Sequence, residues 1–225
     1  MRRLLGAVVV AALAVALLPN VARAWDHVYD GNGLPSSPSL GAGQWYASPG
    51  MDTSICSSDG GVLHIADTNA SMSALFSKYA IPTWNTPVTV EARVRVVSGI
   101  ASVLVSTPSF TTFLRLSASS LSASFAYPSA VIYDADFAVL RTVRVATNAV
   151  GDSWVWLDGT LVAQGRTTEG NQTGLAFGGG GSVSDSYWDY VAYSNAFVPV
   201  PEPPSLFALL AGLGALGAMM KKRRP

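Results

Sequence analysis

Asp134 and Asp136 stand one residue apart in Tyr133-Asp134-Ala135-Asp136, so an extended backbone puts both carboxylates on one side of the chain. Such a pair could cleave a glycosidic bond, one carboxyl donating a proton and the other acting as base or nucleophile, at separations of roughly 5–9.5 Å. It could also hold calcium together with loop oxygens, Asp185 being the third ligand available and Asp189 a fourth that a strand hydrogen bond would explain equally well. A turn competes with both readings, because aspartates ahead of a strand fold back onto their own backbone, and a solvated turn is the better account of Asp134 and Asp136. The only glutamates before the C-terminal tail are Glu91, followed by Ala92-Arg93, and Glu169, in a polar loop. Nucleophilic chemistry has little to work with. Cys56 is the single cysteine, and His27 and His64 are the only histidines, so neither a disulfide nor a histidine-rich site can form within the chain.

Aromatic side chains offer a different chemistry, stacking on the apolar face of a sugar ring beside polar hydrogen-bonding neighbours. Trp45-Tyr46 and Trp84-Asn85 lie in Pro/Gly-rich surroundings, and Trp45, Tyr46 and Trp84 are the candidate ligand-binding residues. Trp154 and Trp156 project to one face of their strand, as core or as platform.

These residues are positioned by strands. Val, Ile, Thr, Ser and aromatics dominate residues 25–198, and Gly, Pro, Asn and Asp punctuate them at short intervals. Val88 to Val96 alternates, with Val88, Val90, Ala92, Val94 and Val96 on one face and Thr89, Glu91, Arg93 and Arg95 on the other, the pattern of a half-buried antiparallel strand. Further strands are expected at 62–66, 101–106, 111–117, 122–127 and 141–148. Asp158-Gly159 between Ser153–Leu157 and Thr160–Ala163 predicts a tight hairpin, and 174–178 and 187–193 complete the set. No helical period appears between the termini, and many short strands over this length point to a two-sheet sandwich.

The two ends differ from the middle. Arg2-Arg3, an apolar run from Leu4 to Leu18 and Ala22-Arg23-Ala24 form the three parts of a secretory signal peptide, with Ala22 and Ala24 at the −3 and −1 positions of the cleavage site. At the other end Pro201-Glu202-Pro203 precedes a charge-free stretch from Ser205 to Met220, closed by Lys221, Lys222, Arg223 and Arg224. The prolines keep the motif extended, the apolar stretch reads as a short transmembrane helix, and the basic cluster holds its end in the cytoplasm. The expected domains are therefore 1–24, 25–198 and 199–225. Within 25–198 seven basic residues face thirteen acidic ones, a net charge near −6 that argues against nucleic acid as a partner.

The tail, in this order of motif, apolar helix and basic end, resembles the PEP-CTERM sorting signal. That resemblance implies processing by an exosortase-type membrane enzyme, a transient precursor tethered to the inner membrane, and delivery to the cell envelope or the extracellular space. The central domain resembles a concanavalin A-like jelly roll of the laminin-G or pentraxin-like type, through Val90-Glu91-Ala92-Arg93-Val94-Arg95-Val96, Leu157-Asp158-Gly159, Phe177-Gly178 and Trp188-Asp189-Tyr190-Val191. Enzymes of that fold carry a Glu-x-Asp-x-x-Glu or Glu-x-Asp-x-Glu strand, which this chain lacks. The expectation is a non-catalytic module at the cell surface that contacts exopolysaccharide or matrix, with calcium as the one cofactor to consider. A divergent polysaccharide hydrolase and a laminin-G-like protein-adhesion module are the alternatives.

Overall fold

The computed structural model describes residues 25–68, 74–79, 86–107, 110–125, 130–167 and 174–198. The expected signal peptide with Ala22 and Ala24, the expected sorting motif Pro201, Glu202 and Pro203, the apolar stretch after it, and Trp84 lie outside the described residues. Among the described residues thirteen strands run in chain order: β1 His27–Tyr29, β2 Tyr46–Ala47, β3 Cys56–Asp59, β4 Val62–Asp67, β5 Leu75–Tyr79, β6 Val88–Ser106, β7 Thr111–Ser117, β8 Ser120–Ser124, β9 Ala130–Asp134, β10 Arg141–Thr147, β11 Asp152–Leu157, β12 Thr160–Arg166 and β13 Gly174–Ser194. All their pairings are antiparallel. Among the described residues no helix is long and apolar enough to cross a membrane.

Two long strands make the sandwich. The first half of β6 pairs with β10 and its second half with β7, while β13 runs beside β6 throughout. The first sheet is β12-β11-β10-β6-β13-β4-β3, with β1 also on β13. The second is β9-β8-β7-β6-β13-β5-β2.

A change of side-chain parity lets one strand serve both layers. Even-numbered Val88 to Val96 enter the core from the first sheet, and odd-numbered Ala101, Val103 and Val105 enter it from the second. Since side chains alternate strictly, a change of phase needs an irregular step, and Val97 to Ile100 supply it. Gly99 sits there with φ +70°, and a Cβ on it would collide with the carbonyl oxygen of Val183, so only glycine fits against the adjoining β13. β13 makes the matching jump between Gly179 and Ser184. Valines of the first sheet and Leu114, Leu116 and Leu121 of the second share one core.

The aromatic centre of that core is Phe177. Its ring lies 4.9 Å from Trp45, 5.1 Å from Trp188, 5.7 Å from Phe76 and 5.9 Å from Tyr29. The expected hairpin forms at the expected place, with Asp158 at φ 46° and Gly159 at φ 82°, the left-handed pair a two-residue turn requires. Asp158 also accepts from the Thr142 amide and from Arg141, which ties the hairpin tip to β10. Two expected pairs of strands turn out to be single elements: 88–96 with 101–106, and 174–178 with 187–193.

Candidate functional site

The alternation of β7, Thr111-Thr112-Phe113-Leu114-Arg115-Leu116-Ser117, sends Thr112, Leu114 and Leu116 inward and Phe113, Arg115 and Ser117 outward. On β8 the outward set is Ser120, Ser122 and Ser124. Register then builds a surface from these strands. One row runs Tyr46, Ser77, Ala176, Leu104, Phe113, Ser124 and Ala130 across the second sheet. The next runs Gly178, Ser102, Arg115, Ser122 and Ile132. Tyr46 is 54% exposed at one edge and Ile132 72% exposed at the other. The Arg115 guanidinium lies 5.1 Å from the centroid of the Phe113 ring, a cation–π contact that holds it over the sheet.

This face offers hydroxyls, two aromatic side chains, an aliphatic edge and one cation. Such a set can hydrogen-bond polyhydroxylated ligands and cover their C–H faces. Acid–base cleavage needs a second carboxyl, and β7, β8 and β9 carry only Asp134.

The expected site residues separate. Trp45 is not a binding platform: it is 2% exposed, edge-on to Phe177 at 4.9 Å and to Tyr193 at 6.1 Å. Trp45 and Tyr46 are adjacent, so a period of two sends one inward and the other out, and sequence alone left open which was which. The three aspartates expected to hold calcium are not assembled. Asp134 ends β9 opposite Ser120, Asp136 accepts from the Ala138 amide in the turn that follows, and Asp185 on β13 contacts His64 at 2.9 Å. Among the described residues no group of three or more His, Cys, Asp or Glu side chains is placed to hold a metal ion. Cys56 is buried, and burial with nearby Asp67 and Asp52 pushes its thiol up to about 12, which leaves it protonated and inert.

Phe113 and Arg115 were missed by the sequence reading. Their signal was a large aromatic and an arginine on the outward phase of a strand whose inward phase was already settled by Leu114 and Leu116.

The outer face of the first sheet is built differently. Arg144 Nε donates to Glu91 Oε2 at 2.6 Å, and Tyr190 donates its hydroxyl to Glu91 Oε1 at 2.8 Å. Burial and the Glu91 carboxylate push Tyr190 up to about 12, so the phenol stays a donor at neutral pH. The Trp25 ring covers the Arg144 guanidinium at 5.2 Å, and Phe197 packs edge-on against Trp154 at 5.0 Å. Trp156 is 8% exposed on this same outward side, beside Arg144 and Leu161. Residues 195–198 return over the face, where Thr89 donates to the Ala196 carbonyl and accepts from the Val198 amide.

No protein-family model and no curated protein sequence matches the chain. Its backbone is similar to that of the Bacillus licheniformis β-glucanase, with TM-score 0.56 and 12% identity over 74% of this chain and 96% of that one. It is similar to the cellulose-induced protein Cip1, with TM-score 0.54 and 12% identity over 77% and 99% of the two chains. The carbohydrate esterase vb_24B_21 of the Shiga toxin-encoding bacteriophage phi24B gives 0.50 and 12% over 76% and 97%. At such identities the likeness concerns the fold alone, and that fold is an all-β, jelly-roll-like sandwich of the concanavalin A-like type.

Proposed function

We propose that this protein is an exported, non-catalytic binding module that holds extracellular polysaccharide on the outer face of its second sheet. The observation that carries the reading is the face itself: hydroxyls of β7 and β8, the rings of Tyr46 and Phe113, and Arg115, with Asp134 as the lone carboxylate of three neighbouring strands. The similar glucanase and esterase act on carbohydrate by their names, which agrees with a sugar ligand, although the fold also serves other ends.

Delivery belongs to the same proposal. The leader ending at Ala24 would be removed on export. The Pro201-Glu202-Pro203 tail would hold the precursor in the inner membrane until an exosortase-type enzyme releases it to the envelope or the medium. A glycan array probed with the full chain, with and without calcium, tests the binding. Retention of β-glucans or exopolysaccharide is expected, and it should weaken when Tyr46 and Phe113 are replaced by alanine. Hydrolysis of any retained polysaccharide, or silence across the array in both conditions, would overturn the reading. Mass spectrometry of extracellular protein should find Trp25 at the N-terminus and no residues beyond the sorting motif.

A further inference from the structure

On the opposite side of the sandwich one cross-strand row reads Ser57, His64, Tyr187, Arg95, from β3 through β4 and β13 to β6. The His64 and Tyr187 rings are parallel within 5° and 4.2 Å apart, and the Arg95 guanidinium lies 4.9 Å from the centroid of the Tyr187 ring. Asp185 contacts His64 Nε2 at 2.9 Å and so fixes the outer member of the stack. Beside this row opens a groove of about 430 Å³, whose wall is completed by Asp59, Val62 and Leu140.

Arg95 is unusual within this chain. Six arginines lie among the described residues, and four are ion-paired: Arg93 with Asp189, Arg141 with Asp158, Arg144 with Glu91 and Arg166 with Asp152. Arg95 and Arg115 instead stand over aromatic rings with no such pair among the described residues, in a domain where acids outnumber bases. Ring contact restrains the guanidinium and leaves its N–H edge for a ligand, and that planar fork matches a carboxylate with two parallel hydrogen bonds. The rest of the groove narrows the ligand further. Asp59 and Ser57 can take hydroxyl hydrogens, Val62 and Leu140 can cover C–H faces, and the Asp59 charge repels a doubly charged phosphate more than a singly charged carboxylate seated on Arg95.

We propose that this groove is a second binding site, for a sugar unit bearing a carboxylate: a uronic acid residue whose carboxylate meets Arg95 and whose hydroxyls meet Asp59 and Ser57. The site shares no side chain with the serine-rich face, so the two are separable by mutation. The chain could then hold two polymer strands at once, one on each face.

Titration calorimetry of the full chain with tetragalacturonate, and with cellotetraose as the neutral counterpart, tests the assignment. Arg95→Gln should lower tetragalacturonate affinity about tenfold or more and leave cellotetraose unaffected, and Arg95→Lys should fall between, since it keeps the charge and loses the fork. Raising salt should weaken the acidic ligand only. Tyr46→Ala with Phe113→Ala should do the reverse, weakening cellotetraose and sparing tetragalacturonate. The site is refuted if Arg95→Gln binds tetragalacturonate as the parent does, or if the Tyr46/Phe113 variant loses it entirely. The latter outcome would place acidic sugar on the second sheet, whereas loss of cellotetraose binding in no variant would count against the second-sheet reading alone.

Discussion

The two outer faces of this sandwich rest on the same pair of long strands yet are finished in opposite ways. On the first sheet most outward charges of β6 and β10 are paired within the protein: Glu91 is held by Arg144 and Tyr190, Arg93 by Asp189 and Arg141 by Asp158, and residues 195–198 lie across Thr89. On the second sheet the outward residues of β7 and β8 are mostly serine and threonine, and Arg115 faces a ring instead of an acid. Polar groups that satisfy one another inside the protein contribute to its stability. On the second sheet Ser117 bonds Ser120 and Thr111 bonds Ser106, while Ser122, Ser124 and the edge of Arg115 face outward for a partner. The difference separates a structural face from a receptive one, and within the structural face the His64–Tyr187–Arg95 row is a local return to the receptive kind.

Mutations can break or sharpen this contrast. The largest effect is expected at Phe177, which serves neither face and supports both. Phe177→Ala removes the centre of the aromatic cluster and should cost about 3–5 kcal/mol, read as a lowered denaturation midpoint with both faces lost together. Next comes Arg144→Ala, which leaves the largely buried Glu91 carboxylate without its cation and should cost about 2–3 kcal/mol. Arg115→Ala on the other sheet should change stability by less than about 0.5 kcal/mol while weakening ligand retention. Equal destabilisation by Arg144→Ala and Arg115→Ala in urea titrations would remove the distinction between the faces.

A pH titration probes the structural side. Tyr190, Tyr193 and Cys56 are all raised, chiefly by burial, the tyrosines to about 12 from an ordinary value of 10. The folded state therefore holds protons that the unfolded state has released. Their contribution is complete below pH 9 for the thiol and pH 10 for the tyrosines, and is lost as pH climbs toward 12. Lys78, whose ammonium is lowered by burial, works in the opposite direction and softens the loss. Circular dichroism should show alkaline unfolding in that window, and Tyr190→Phe should flatten it. The smallest effect belongs to Tyr46→Ala: almost none on stability, and a three- to tenfold loss of sugar affinity, about 1 kcal/mol for one stacking ring.

Much of this layout was legible from residues alone, and the exceptions share a cause. Alternation located β4, β7, β10 and the β11–β12 hairpin, because a strand with one wet face records its burial in every second residue. It failed where β6 and β13 change phase. The residues between 96 and 101 and the Gly/Ser stretch after Gly178 read as breaks, although the ladder continues past both with an irregular step. Trp45 immediately precedes the two-residue strand that Tyr46 opens, which is too short for alternation to reveal a phase, so the buried ring passed for an exposed one. The proposed binding surfaces lay deeper still. Ser57, His64, Arg95 and Tyr187 become neighbours only through the register of four strands, and no local pattern encodes that register.

The β6–β13 ribbon has a mechanical consequence. β13 is the last strand before the tail, and sixteen residue pairs join it to β6. A pull on the chain beyond Val198 therefore enters along the length of a ribbon that belongs to both layers. The load is shared as shear by many bonds at once, where a short edge strand would unzip them singly.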